Sequence, residues 1–301
     1  MQPASPGLAE QSGIQRCEHR PPGGRRECAN VLGVPVDPFD MERALGCASE
    51  LLRRREKGYV CAVSVHGVLE ARRDPRVAQA FADAAMVIPD GRPMVWVGRI
   101  QGWHSIRQVT GPDLMREIFS RPEFSASAHF FYGGKEGVAQ ELAAMWRSTF
   151  PSARIAGTFT PPFRDLTFSE EWELIELLNR RRPDIIWVGI STPRQELFMR
   201  RLLPHIDHGL LFGVGAAFDF HTGRIRDCAP WIKHIGFQWL HRLLQDPRRL
   251  WRRNLCNATF LWHIALQLTG LKKYDVVSPP SLSVAHHPAS AASGSSPGGS
   301  A

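Results

Sequence analysis

The sequence predicts an α/β fold: a Rossmann-like, mainly parallel sheet with helices on both faces, followed by a C-terminal basic amphipathic helical appendage. Three observations predict it. Short apolar runs alternate with stretches of helical periodicity between residues 59 and 214, the βαβα rhythm of a parallel sheet. Several of these runs are apolar almost throughout, as suits strands covered on both faces. A stretch rich in Arg and Trp follows the last run.

The predicted strands are Tyr59–Val65, Met86–Pro89, Ala128–Tyr132, Arg154–Phe159, Asp184–Ile190 and Leu210–Val214, each bounded by Gly, Pro or Asp. Helices with readable starts lie between them. Thr110 with Asp113 resembles a capping box before Leu114, Met115, Ile118 and Phe119. Ser169 reads as the cap of a helix carrying Trp172, Ile175 and Leu178, and Glu136–Trp146 as a further helix. Ile232, Ile235, Trp239 and Leu243 form a helical stripe in the C-terminal region.

Composition divides the chain into four parts. Residues 1–27 are polar, Pro/Gly-rich and aperiodic, and are expected to be disordered. Residues 28–228 form the expected α/β core and 229–275 a Trp/Arg-rich, membrane-proximal helical appendage. From Val276 to residue 301 there is no Lys, Arg, Asp or Glu, and Ser, Pro, Ala and Gly dominate, so a second disordered tail is expected. The 43% apolar and 22% charged fractions of the 301 residues are those of a soluble globular protein. No apolar run approaches the ~20 residues needed to span a bilayer. The N-terminus lacks the basic and apolar regions of a signal peptide, so a cytosolic protein is expected.

The six cysteines (17, 28, 47, 61, 228, 256) show no C-x-x-C pair and no zinc spacing, which fits a reducing compartment. Cys47 and Cys61 lie among apolar neighbours and read as buried, inert thiols. The net charge of +8 is concentrated. Between His221 and Cys256 eight Lys/Arg face two Asp, an excess of +6. Such a patch suits an anionic partner such as phospholipid or diphosphate, or else a solvated helix face.

In open α/β sheets ligands bind beyond the carboxyl ends of the strands, and four such ends carry chemistry here. Pro89-Asp90-Gly91 puts a carboxylate just past a buried strand, suited to acid–base work, although the same tripeptide makes an ordinary turn. Gly133-Gly134-Lys135 stands between a strand and a helix start, where backbone N–H groups can face a phosphate; a tight turn reads the same way. Ser191-Thr192-Pro193-Arg194-Gln195-Glu196 offers a hydroxyl, an amide and a carboxylate suited to sugar hydroxyls, or simple helix capping. Gly213-Val214-Gly215 begins a dinucleotide fingerprint, but Phe218 replaces its last glycine. A nucleotide-facing role for this backbone and for Asp219 remains. Beyond them, Arg242, Arg248, Arg249, Arg252 and Arg253 stand beside Trp239 and Trp251, the composition of a segment lying in a membrane interface. Arginine's fork also suits a diphosphate.

Together these pieces resemble the WecG/TagA/CpsF glycosyltransferase family. The resemblance runs from Leu32-Gly33-Val34-Pro35-Val36-Asp37 to about Leu255. Its markers fall in order: Ser64…Glu70-Ala71-Arg72…Asp74, Pro89-Asp90-Gly91, Val109-Thr110-Gly111-Pro112-Asp113-Leu114-Met115, Gly133-Gly134, Pro193-Arg194-Gln195-Glu196, Gly213-Val214-Gly215…Phe218-Asp219-Phe220, and Ala229-Pro230-Trp231…Trp239…Arg242…Pro247-Arg248-Arg249…Arg252-Arg253. The resemblance implies inverting transfer, without a metal or other cofactor, of a hexose or N-acetylhexosamine. The donor would be a UDP-sugar of the UDP-N-acetylmannosamine or UDP-glucose type. The acceptor would be a polyprenyl-diphosphate-linked sugar in cell-surface polysaccharide synthesis. No Asp-x-Asp metal motif occurs in the sequence.

By the same resemblance Asp90 is the general base, Gln195 with Glu196 contacts substrate, Asp219 lies near the nucleotide, and the C-terminal arginines hold the leaving diphosphate. Two departures stand out. Ser64-Val65-His66 replaces the family's Thr-x-Asn, so Ser64 and His66 become candidate substrate contacts. Gln108 stands where relatives have an arginine, with Arg107 one residue earlier. The expected partners are the two substrates and the anionic inner face of the cytoplasmic membrane, to which the protein would be peripheral. Nucleic acid is not expected, and a homo-oligomer is left open. Two alternatives belong to other classes: a non-catalytic membrane-surface binding protein with the same fold, and a nucleotide-dependent oxidoreductase, disfavoured by the absent third glycine.

Overall fold

The computed structural model describes residues 27–225 and 247–277, the second stretch with side chains from Asn257 onward. Residues 1–26 and 278–301 of the expected disordered tails, and all of the expected appendage before Pro247, lie outside the described residues, whereas Val277, in the second expected tail, donates its N–H to Gly33 O at 3.2 Å. Two three-residue strands, β1 (Ala29–Val31) and β2 (Val34–Val36), form an antiparallel hairpin whose turn holds Leu32 and Gly33 at positive φ, 52° and 92°. Helix α1 (Met41–Arg53) follows, capped by the Asp40 carboxylate on the Arg43 N–H.

The rest alternates: β3 (Gly58–Val63), α2 (Val65–Arg73), α3 (Pro75–Asp83), β4 (Met86–Pro89), α4 (Arg92–Ile100), α5 (Gly111–Ser120), β5 (Ala128–Gly133), α6 (Val138–Thr149), β6 (Arg154–Phe159), α7 (Phe168–Arg181), β7 (Ile185–Gly189), α8 (Arg194–Leu202), β8 (Leu210–Gly213) and α9 (Ala217–His221). Last comes α10 (Pro247–Leu268). The six expected strands pair into one parallel sheet in the order β4-β3-β8-β7-β5-β6. All of its carboxyl ends therefore open on one edge.

Strands β4, β5 and β8 are buried along their whole length, because helices cover both faces. β6, at the edge, is half-buried. Two apolar clusters lie on the two sides of the sheet. The helix predicted from Ser169 is capped two residues earlier: Thr167 and Glu170 exchange the reciprocal bonds of a capping box, which satisfies two terminal N–H groups instead of one. Cys61 is buried as expected, whereas Cys47, also buried, is disulfide-bonded and not the inert thiol that its apolar neighbours suggested.

Helix α10 is tied to the core rather than standing apart from it. Phe260 and Ile264 are 2% and 7% exposed, and Gln267 bonds the backbone of Leu32 and Asn30 in the hairpin. Its opposite side leaves Leu261 and Trp262 exposed. Among the described residues no helix is long and apolar enough to cross a membrane.

His129 sits inside the sheet, stacked 4.1 Å from Phe119, with Nδ1 accepting the Trp187 indole N–H at 3.2 Å. Burial pushes its pKa down to about 4. Unfolding returns it to about 6.5, so the unfolded chain binds the extra proton and stability is lost as pH falls from 6.5 toward 4, by on the order of 3 kcal/mol. Urea midpoints measured from pH 7.5 to 4 check this against His129→Asn, which keeps an acceptor but does not titrate. The wild type is expected to lose stability relative to the variant over that window; parallel curves would mean that the imidazole is not held neutral.

Candidate active site

The carboxyl edge of the sheet gathers the predicted strand ends into one closed chain of contacts. At the tip of β4 the Asp90 N–H donates to Val63 O at 2.9 Å, which extends the β3–β4 ladder past the strand and sets Asp90 beside Ser64. The Val109 N–H donates to Pro89 O at 3.0 Å, bringing the loop before α5 to the same tip. Two residues on, Gly111 lies against the end of β8, where a Cβ would stand 2.9 Å from Val214 O. Gly215 then donates its N–H to Gln195 Oε1 at 3.1 Å. Thr192, bonded to Glu196, returns the chain to α2, where a Cβ on Gly67 would meet Thr192 Cγ2 at 3.7 Å. By strand spacing alone Asp90 lies roughly 10 Å from the β8 tip and roughly 14 Å from the β7 tip.

Asp90 is half-buried at this edge, with Gly91 at φ 131° directly after it. Ser64 occupies the N-cap position of α2, yet its side chain makes no capping bond. His66 lies half-buried in the first turn of α2, its Nδ1 3.8 Å from the Glu70 carboxylate. Of the neighbouring pair, Arg107 is exposed and its guanidinium donates to the His104 and Ile106 carbonyls at 2.6 and 2.9 Å. Gln108, half-buried and adjacent to Val109, adjoins the β4 tip.

The glycines and Gln195 are placed differently from the sequence expectation. Gly134 donates its N–H to Gly189 O at 3.0 Å, and Gly215 to Gln195, so neither N–H faces a phosphate. Steric fit explains Gly133, Gly134 and Gly213, and a positive φ of 57° explains Gly215. A Cβ on Gly133 would stand 2.5 Å from Gly189 O, and one on Gly213 2.7 Å from Met199 Cε. Gln195 and Glu196 are 2% and 0% exposed and form the floor of the site rather than its lining. Lys135 is exposed at the mouth, and Asp219 is half-buried on α9. Arg242 lies outside the described residues, as do the side chains of Arg248, Arg249, Trp251, Arg252 and Arg253, whose backbone forms the start of α10.

Three residues were not singled out as site candidates in the sequence, although Thr192 lies within one of the strand ends that carry chemistry. Thr192 ties Glu196 into the floor by a 2.9 Å bond from its hydroxyl. Arg92, half-buried in the first turn of α4, stands two residues from Asp90, and that proximity alone could have flagged it. Arg224 pairs with Glu141 at 2.6 Å, and its pKa is raised first by that bond and further by the nearby Asp219 charge.

Comparison with known proteins bears on this arrangement. The Glycosyl transferase WecG/TagA/CpsF family matches residues 29–274, which span both the sheet and α10. An N-acetylglucosaminyldiphosphoundecaprenol N-acetyl-beta-D-mannosaminyltransferase of Bacillus spizizenii is 26% identical over 186 residues, 62% of this chain and 70% of that protein. The chain belongs to the WecG/TagA/CpsF family, and it is a glycosyltransferase.

Proposed function

We propose that this member of the family moves a hexose or N-acetylhexosamine, with inversion, from a UDP-sugar onto a polyprenyl-diphosphate-linked sugar at the inner face of the cytoplasmic membrane. The observation that carries the reading is the place of Asp90: a half-buried carboxylate at the tip of β4, inside the closed run of loops on the binding edge. The acceptor chemistry is supported by the Bacillus relative, whose name specifies a diphosphoundecaprenol-linked sugar.

In this mechanism Asp90 takes the proton of the acceptor hydroxyl as its oxygen attacks the anomeric carbon opposite the leaving group. The C–O bond to the diphosphate breaks as the new one forms, and UDP leaves with both electrons. Ser64, His66 and Gln108, next to Asp90, orient sugar hydroxyls. Lys135 and Asp219, across the edge, face the nucleotide. The departing charge needs cations, and Arg242, Arg248, Arg249, Arg252 and Arg253 supply them while docking with Trp251 on anionic lipid. The family's usual Thr-x-Asn and arginine are replaced here by Ser64-Val65-His66 and Gln108, so the donor class includes UDP-glucose as well as UDP-N-acetylmannosamine. Assay of the purified protein against a panel of UDP-sugars, with a short-chain prenyl-diphosphoryl sugar as acceptor, tests the reading. Release of UDP with no member of the panel would overturn it.

The arginines allow a separate test. Removing α10 would strip Phe260 and Ile264 from the core, so substitution is the sound experiment. Replacing Arg248, Arg249, Arg252 and Arg253 together by Ser is expected to reduce sedimentation with anionic liposomes at least tenfold, since each basic residue contributes about 1 kcal/mol near such a surface. Unchanged sedimentation would remove the membrane part of the proposal.

A further inference from the structure

Gln195 opens α8 but faces inward. Its Oε1 accepts the Gly215 N–H at 3.1 Å; its Nε2 donates to Glu196 Oε1 at 3.0 Å and approaches Thr192 Oγ1 at 3.4 Å. The Thr192 hydroxyl donates to the same Glu196 oxygen at 2.9 Å. One side-chain amide thus joins the loop after β7 to the loop after β8. The surroundings are shaped to it: a Cβ on Gly213 would lie 3.2 Å from Gln195 Nε2 and 2.7 Å from Met199 Cε. At the entry to the β7 loop Ser191 holds φ 78°, a conformation costing roughly 1–2 kcal/mol for a residue with a Cβ. The turn that follows fixes it, the Gln195 N–H closing onto Ser191 O at 3.0 Å.

A sugar hydroxyl could reach this amide only by displacing one of these partners. That would leave the Gly215 N–H or the Glu196 carboxylate short of a bond in a buried place, at a cost of roughly 1–3 kcal/mol. We propose that Gln195 is a positioning residue, a latch that fixes the β8 tip and the short helix bearing Asp219 against the β7 loop, and that it does not touch the sugar. Its partners in the latch are Thr192, Glu196 and the Gly215 backbone. Holding Asp219 in register across the edge from Asp90 is its contribution to transfer, because displacement by about 1 Å can cost on the order of 10²-fold in rate.

The test is a double-substitution cycle, and it depends on the transferase reading only for its turnover measurement. Gln195→Glu keeps an acceptor for Gly215 but sets a second carboxylate against Glu196, so the latch is forced open. Adding Glu196→Gln restores a donor opposite an acceptor with the roles exchanged. Amide hydrogen exchange of residues 213–220, which needs no substrate, is expected to quicken about tenfold or more in Gln195→Glu and to return toward wild type in the double variant. With the donor and acceptor that the panel identifies, kcat is expected to fall about 10²-fold in the single variant, KM moving much less, and the double variant to recover tenfold or more.

If Gln195 reads the sugar directly, a change at the buried position 196 cannot rescue it. A double variant no better than the single one therefore overturns the proposal, as does unaltered exchange at 213–220. Should the single variant fail to unfold cooperatively, a cooperative transition regained in the double variant supports the latch, and none regained overturns it. Exchange that responds while no UDP-sugar is turned over leaves the latch standing and removes the substrate assignment.

Discussion

Asp90→Asn is expected to lower turnover by roughly 10²–10⁴-fold, the range by which a positioned general base accelerates transfer. This corresponds to about 3–5 kcal/mol of activation free energy. Asn has the size and shape of Asp and keeps a hydrogen-bonding oxygen, so the β3–β4 ladder at the tip, which runs through the Asp90 backbone N–H, is undisturbed. What it lacks is the capacity to hold the acceptor's proton. UDP affinity, measured by titration calorimetry, is expected to change little, because the residues proposed to face the nucleotide, Lys135 and Asp219, follow β5 and β8 and not β4. Wild-type turnover from the Asn variant would rule out the mechanism, whereas a large loss of UDP affinity would move Asp90 to the nucleotide side of the site.

The second large effect is on the scaffold of the same edge. Gly133→Ala places a Cβ 2.5 Å from the Gly189 carbonyl oxygen and 2.7 Å from its carbon, at φ 128°. Those are backbone atoms of a paired strand, and no rotamer change can move them aside. β5 and β7 must part where the Gly134 N–H bonds Gly189 O. A loss of roughly 3–5 kcal/mol follows from clash and backbone strain together, lowering Tm by about 10 °C. Gly102→Ala is the control. It also holds a positive φ, 94°, but has nothing within 4 Å of a Cβ, so only the strain of about 1 kcal/mol applies. If the two variants melt together, close approach is not what Gly133 provides.

The strands were legible because burial on both faces writes itself into the residues: a run such as Leu210–Val214 has no polar side chain to confuse the reading. Strand order was not legible, since nothing local states that β8 inserts between β3 and β7. The hairpin at residues 29–36 escaped notice because three-residue strands are too short to show a period. Thr167 was missed as a cap because Ser169 is an equally good residue two positions later, and only the bond to Glu170 decides between them.

At the site, the location of Asp90 could be read from the strand preceding it. The direction of the Gln195 side chain could not, because it depends on Gly215, twenty residues away in the chain. The glycines stood out in the sequence as backbone able to face a phosphate, whereas in the fold the absence of a side chain makes room for neighbouring backbone and side chains. Helix α10 shows a similar split. Its basic start fitted the charge count, while the anchoring of its second half on the hairpin through Gln267 was invisible until both were seen together.

The configuration of the newly formed glycosidic bond distinguishes one-step displacement from any route through a sugar–enzyme intermediate. Proton NMR of the product, read against the anomeric configuration of the donor, reports it directly. With Asp90 withdrawing the acceptor's proton during a single attack from the far side, the bond must be inverted. A product with the donor's configuration retained would contradict the account.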